Sequence, residues 1–380
     1  MKKLLFTLTI ATILFTGCSK DDEEPEQTFG EELSGDITTN VTLDASITYK
    51  LVGTLSVKDG GVLNIPAGTT IKATKGFSSY LIVEQGGKIM AEGKAASPIT
   101  FTSAESSPAA ADWGGIWICG YAPIAGGGTG TTEVDVTIPY GGDDAADNSG
   151  IFKYVKILYS GAQSSENVEH NGITLNAVGN GTVIENIFVM DGADDAIEFF
   201  GGTVDVTNLL AVDCDDDMFD VTQGWSGTLT NGYGIWEDGY NSTESDPRGI
   251  EADGNLDGNY PDQTGQSDFT MTNITIKNNS DYVMEDCIKV RRGATAAISN
   301  VLLAGGNAKD LIDLTDSKGV ATDASSIAAT NSGVTYSGSE VKRTTTVNGS
   351  EVTCNATVTI SAGNTGADAS AFSWTGYSFQ

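Results

Sequence analysis

The chain has 380 residues and a formal net charge of −31, with 51 Asp and Glu against 20 Lys and Arg. That balance excludes nucleic acid as a partner, because phosphate contacts need clustered Lys and Arg, and it offers no attraction to an anionic lipid surface. It favours solubility and divalent cations, while 47 glycines beside only 8 prolines suit many short strands joined by tight corners.

Residues 1–17 read as a signal peptide. Met1-Lys-Lys3 is basic, and the apolar run from Leu4 to Phe15 is too short to span a bilayer. Thr16-Gly17-Cys18 closes it and resembles a bacterial lipobox, with Phe15 where a Leu is usual. The resemblance implies cleavage before Cys18 and a lipid anchor on its thiol and amine. Residues 18–35 then form a lipidated acidic tether. Its run Ser19-Lys-Asp-Asp-Glu-Glu24 is similar to the signal that carries Bacteroidetes lipoproteins to the outer face of the outer membrane. The expected location is the outer membrane, lipid-anchored and exposed at the cell surface, with membrane lipid as a partner through the acyl chains.

Residues 36–56 are strand-like but atypical and are expected to cap one end of a solenoid spanning 57–330. Inside it, Asp191-Gly-Ala-Asp-Asp-Ala-Ile-Glu-Phe199 overlays Asp213-Cys-Asp-Asp-Asp-Met-Phe-Asp-Val221 at a spacing of 22 residues. Leu175, Ile197 and Phe219 fall on one register, as do Asn186 and Asn208. A period this short fits a coil of strands, and parallel strands joined in this way cross over right-handed. Residues 120–149, rich in Gly and Asp, read as a loop thrown out from one corner. Residues 331–380 are expected to form a small β cap, because Thr344–Ile360 alternates like antiparallel strands. The predicted fold is all-β: a right-handed parallel β-helix with coils of about 22 residues and a β cap at each end.

Two columns recur along the coils. Asn precedes an apolar residue at Asn186, Asn208, Asn273 and Asn300, and stacking about 4.8 Å apart would let these amides form a ladder. The frame Asp, any residue, apolar, polar, apolar recurs at Asp195, Asp217, Asp286 and Asp310, with Arg248 in the same place. The blocks Leu81–Ser103, Trp113-Gly-Gly-Ile116, Gly181-Thr-Val-Ile-Glu-Asn186, Glu198-Phe-Phe-Gly-Gly202, Asp216-Asp-Met-Phe-Asp220 and Arg248-Gly-Ile-Glu-Ala-Asp253 resemble the right-handed parallel β-helix lipoproteins of Bacteroidetes. Ala367–Trp374 resembles the tail that closes that family.

Strand alternation points Ile197 and Phe199 inward and the residue between them outward. The outward column is then Asn176, Glu198, Asp220, Glu251, Lys289 and Asp313. Lys289 beside Asp313 needs only a surface ion pair. Like charges about 5 Å apart at Glu198, Asp220 and Glu251 cost about 3 kcal/mol at an effective dielectric near 20. Solvent screening would absorb most of that; alternatively a cation such as Ca²⁺ would bind Asp194, Glu198, Asp216 and Asp220. The Asp195 column is expected to cap corners by accepting backbone N–H groups, with Arg248 pairing Asp217 and Asp286. Cys119, Cys214, Cys287 and Cys354 lie at wide, irregular spacings without Cys-x-x-Cys, and buried free thiols are expected.

A polygalacturonase-type hydrolase of this fold needs carboxylates beside His-Gly and Arg-x-Lys. Here the single histidine, His170, precedes Asn171, and Arg291-Arg-Gly is not Arg-x-Lys. The expected function is therefore non-catalytic binding of an extended glycan, with Trp225, Tyr233, Trp236 and Tyr240 as stacking candidates. The alternatives are a polysaccharide lyase or glycoside hydrolase using Lys289, Arg291, Asp216 and Asp217, or a structural or adhesive surface protein. Cys18→Ala should release the protein from the membrane fraction, and neutral residues at Asp21–Glu24 should remove it from protease reach on intact cells.

Overall fold

The computed structural model describes residues 29–164 and 168–379; the signal sequence, Cys18 and the acidic run lie outside them. Twenty-five strands join one hydrogen-bonded sheet whose pairings are parallel throughout, wound as a right-handed parallel β-helix. On one side Val183–Met190, Val206–Val212, Thr228–Trp236, Asp268–Asn278 and Thr295–Ala304 stack in order. On another, Ile173–Asn176, Ile197–Phe200, Phe219–Thr222, Arg248–Ala252, Val283–Lys289 and Asn307–Asp313 do the same.

The long strands bend at asparagine. Asn186, Asn208, Asn231, Asn273 and Asn300 all have φ between 52° and 64°, a left-handed conformation that Asn tolerates better than most residues. Each amide carries a donor and an acceptor, so stacked copies bond directly. Asn208 Nδ2 donates to Asn186 Oδ1 (3.0 Å), Asn231 to Asn208 (2.8 Å) and Asn300 to Asn273 (2.8 Å). Asn231 escapes the sequence pattern because Gly232, not an apolar residue, follows it.

Ile197, Phe199, Phe219 and Val221 are fully buried, so the inward register of these coils holds. Leu175 is a different case. It pairs with Phe199, and Ile173 pairs with Ile197, so this coil is two residues longer than 22 and Thr174, not Asn176, stands against Glu198. The ends differ as well. Parallel pairing already begins at Glu32–Ile37 with Thr48–Val57, so the segment expected as an N-terminal cap is coil. Beyond residue 330, Thr344–Val347 and Ser350–Thr353 do form an antiparallel hairpin, whereas Thr357–Ile360 adds a parallel strand to Ser326–Ser332.

After Ile360 the chain runs back along the solenoid. Thr365 N donates to Asn300 Oδ1 (2.7 Å), Ala367 N to Thr275 Oγ1 (2.9 Å) and Asp368 N to Asn231 Oδ1 (2.6 Å). Lys156 Nζ donates to Thr375 O (2.7 Å). Phe372 is fully buried among Phe188, Leu210, Val212, Tyr233 and Ile235. Phe372→Ala should cost about 3–5 kcal/mol, read as a lower midpoint in denaturant unfolding.

Candidate functional site

The doubled Asp of successive coils splits into two jobs. Asp195 Oδ1 accepts Asp217 N (2.8 Å), and Asp217 Oδ1 accepts Arg248 N (2.7 Å), so this column caps corners. Their neighbours Asp194 and Asp216, together with the outward Glu198, Asp220 and Glu251, line a cavity of about 320 Å³. Three further carboxyls complete it: Glu133 from 120–149, Glu169 from the segment before Asn171, and Asp257 from 253–266.

All four residues expected to hold a cation line this cavity, in two overlapping groups. Carboxylate oxygens of Asp194, Asp195 and Asp216 lie within 4.8 Å of one another, and so do those of Asp195, Glu198 and Asp220. Glu198 pairs across the ladder with Asp220, and Asp220 with Glu251, so three carboxylates stack at rung spacing. Asn171 Nδ2 donates to Glu198 Oε2 (2.7 Å). Asp216 Oδ1 is buried without a hydrogen-bond partner.

Burial, followed by the charge of neighbouring carboxylates, raises Asp194, Asp195, Glu198, Asp217 and Asp220 well above the usual carboxylate range. Burial first and Glu251 next raise Asp216 to about 7. Burial, with Asp257 and Glu169, raises Glu133 to about 7. The cavity therefore holds carboxyl groups that keep their protons near neutral pH.

Further along the column the acids have cations. Arg248 reaches Asp286 (3.4 Å), Glu251 (3.3 Å) and Asp217 (4.0 Å). Lys289 lies between Asp286 (3.3 Å) and Asp313, and both members of the Lys289–Asp313 pair are buried, so it is not the surface ion pair expected. Arg291 is held by Glu251 and by Asp253 (2.6 Å), and Arg292 by Asp253 (2.5 Å) and Asp316 (3.0 Å). Lys289 and Arg291 are thus committed to ion pairs and do not line the cavity, which removes them as catalytic bases. Asp216 and Asp217 both line the cavity; Asp217 also accepts Arg248 N and lies 4.0 Å from its guanidinium, whereas Asp216 Oδ1 has no hydrogen-bond partner among the described residues.

The aromatic candidates are corrected in the same way. Trp225 is fully buried, stacked on Phe199 with ring centroids 4.0 Å apart. Trp236 is fully buried and donates to Cys214 O (2.9 Å). Tyr233 packs beneath Phe372 and Phe379 of the tail. No ligand can stack on these three. Tyr240 alone reaches a cavity, a different one shared with Asp191, Asp213 and Asp215, and its hydroxyl donates to Asp215 Oδ1 (3.0 Å). Cys119, Cys214, Cys287 and Cys354 are buried free thiols.

A family model described as a pectate-lyase-like β-helix domain matches residues 35–377. Among solved structures, the enzymatically active domain of tailspike protein 2 from bacteriophage CBA120 is similar at 11% identity and a TM-score of 0.32, covering 85% of this chain and 47% of that one. The catalytic domain of a GH87 α-1,3-glucanase, in complex with tetrasaccharides, is similar at 14% identity and a TM-score of 0.32, covering 88% of this chain and 62% of that one. This chain thus spans about half of the tailspike domain and less than two thirds of the glucanase domain. No curated protein sequence matches. The expectation of a non-catalytic surface is corrected by the family match, which covers nearly the whole solenoid under a lyase's name.

The raised carboxyls make stability depend on pH with a definite sign. Asp216 and Glu133 keep their protons to about pH 7 when folded but release them near pH 4 when unfolded. The folded state therefore binds more protons across that window, and the stabilisation present below it is lost as pH rises. Asp316, which burial raises but Arg292 brings down to about 2, acts only as pH falls below about 4. With divalent cations chelated, the melting temperature should fall from pH 4.5 to 7.5, and Glu133→Gln should flatten that slope.

Proposed function

The chain belongs to the pectate-lyase-like β-helix family, and on that premise we propose that it cleaves the glycosidic bonds of an extended polysaccharide in the cavity over Glu198 and Asp220. The observation that carries this reading is the stacked pair itself. Two carboxyl groups face each other across adjacent rungs; burial raises both, Glu133 and Asp220 raise Glu198 further, and Glu251 and Asp253 raise Asp220 while a hydrogen bond with Glu198 lowers it. Like charges that close cannot both ionise, so the pair shares one proton. A shared proton provides one acid and one carboxylate at one bond, which is the requirement of acid–base glycoside hydrolysis.

In this reading Glu198, oriented by Asn171, gives its proton to the glycosidic oxygen as the bond to the leaving sugar breaks. Asp220 lies at a rung spacing too short to admit a water between the two carboxyls. It attacks the anomeric carbon as that bond breaks, and a water deprotonated by Glu198 then displaces Asp220 from the sugar. Elimination would require a basic side chain free to abstract a ring proton, and Lys289, Arg291 and Arg248 are each bound to acids. Hydrolysis is therefore favoured over lyase chemistry.

Asp194, Asp195 and Asp216 fit a hard cation: their oxygens converge within 4.8 Å and Asp216 Oδ1 is orphaned. Ca²⁺ held there would offset the crowded negative charge. The lipobox-like Thr16-Gly17-Cys18 and the acidic run behind it support tethering of the enzyme by acylated Cys18 on the outer surface of a Bacteroidetes cell.

The test is a panel of neutral and acidic polysaccharides incubated with residues 19–380, with and without Ca²⁺, following reducing and unsaturated ends. Glu198→Gln and Asp220→Asn should each lower the rate of reducing-end release by about 10²–10⁴-fold with the melting temperature unchanged or raised. Unsaturated ends, or full activity in both variants, would overturn the assignment.

A further inference from the structure

We propose that the cavity of about 260 Å³ beside the acidic one is a binding subsite for an uncharged pyranose ring, formed by Gln223, Tyr260 and Gln263 between the loops 120–149 and 253–266. It rests on the cleavage reading and specifies the substrate that the cleft admits. Gln223 lies three residues beyond Asp220, about 10 Å along an extended chain, so the subsite adjoins the reacting pair.

Gln223 is the first observation. It is only 7% exposed and lines this cavity, and its Oε1 accepts the Tyr140 hydroxyl (2.6 Å). Among the described residues no partner takes its amide N–H groups. Reversing the amide does not change the conclusion, because the tyrosine hydroxyl can serve only one end. The N–H groups of Gln223 are left to whatever fills the cavity, and a sugar hydroxyl, which both donates and accepts, can stand where water would.

Tyr260 is the second, independent observation. The residue is 49% exposed, yet the loop beneath it is held tightly. Tyr260 N donates to Asn255 Oδ1 (2.8 Å), and Gln266 Nε2 donates to the carbonyls of Tyr260 (3.2 Å), Pro261 (3.3 Å) and Gln263 (3.1 Å). Asn255, fully buried, fixes Gln266 in turn (2.9 Å). The facing loop is pinned to the same frame by Ala125 N to Gln223 O (2.8 Å) and Gly126 N to Thr264 O (2.9 Å). An exposed aromatic face held this rigidly is preorganised for a flat apolar partner, and the face of a pyranose ring is one.

The lining sets the charge of the sugar. Ile124, Thr129, Leu256, the two glutamines and Tyr260 carry no charge, while carboxylates crowd the cavity next door. A uronate here would meet repulsion from the acidic cavity and no cationic side chain in the lining; a neutral hexose meets amides, a hydroxyl and a ring.

The experiment uses the mature chain carrying Glu198→Gln, so that ligand is not consumed. The probes are cellohexaose, maltohexaose, laminarihexaose and hexagalacturonate, with affinity read by calorimetry and location by hydrogen exchange. A neutral hexasaccharide should bind and protect residues 120–130 and 253–266. Adding Tyr260→Ala or Gln223→Leu should weaken it about tenfold, and in the wild-type background Tyr260→Ala should raise KM about tenfold with kcat little moved. Tyr260 is half exposed and its loop is anchored through Asn255 and Gln266, so Tyr260→Ala should melt with the parent. Unprotected loops, unchanged affinity in Tyr260→Ala, or binding of hexagalacturonate alone would overturn the subsite. Cleavage without loop protection sinks the subsite and leaves the enzyme standing, loop protection without cleavage does the reverse, and neither result overturns both.

Discussion

A parallel solenoid sets every residue about 4.8 Å from its counterpart on the next rung. Where the counterpart is an asparagine, each amide has something to give and something to take, and the corner gains a hydrogen bond per coil. Where it is Phe199 over Val221, the gain is apolar contact. Where it is Glu198 over Asp220 over Glu251, the same repetition forces carboxylates together. Glu251 has Arg248 and Arg291 within reach. Glu198 and Asp220 form no ion pair among the described residues, so they relieve the repulsion by retaining protons. The proposed reacting pair thus falls where the charge pairing of the ladder stops.

The parts of the molecule that follow this repetition are legible in the sequence. Period and alternation place Ile197 and Phe219 in the core, foresee the asparagine ladder, and bring Asp194, Glu198, Asp216 and Asp220 to one place. Legibility fails where the repetition does. The coil below Ile197 carries two extra residues, which shifts Leu175 off its expected partner. Glu133 and Asp257 lie in segments without period, and nothing in their local sequence says which cavity they enter. Trp225 and Trp236 sit among Gly, Asn and Asp in a region that reads as loop, but their indoles are packed into the core.

The expectation of a non-catalytic surface fails for a related reason. Recurrence of the doubled Asp suggests architecture, and half of that inference is right: Asp195 and Asp217 cap backbone. The other half fails because two adjacent residues on one turn face different surroundings. One oxygen of Asp195 and of Asp217 is taken by an amide group, while, among the described residues, Asp194 and Asp216 accept none there and turn to the cavity. Side-chain direction, which spacing alone cannot resolve at a corner, separates the two.

A linear stack in which each coil touches only its neighbours would be free to fray from either end. The returning C-terminal segment removes that freedom. By bonding to Asn300, Thr275 and Asn231 and receiving Lys156, it ties the last residues of the chain to coils formed 65 to 219 positions earlier. Loosening the terminal hairpin therefore loosens the segment anchored beside it, and with it the apolar cover over Phe188 and Tyr233. The molecule should behave as a buckled belt, opening as a whole or hardly at all, and the geometry of its cavity is shielded from fluctuations that would otherwise travel in from the ends.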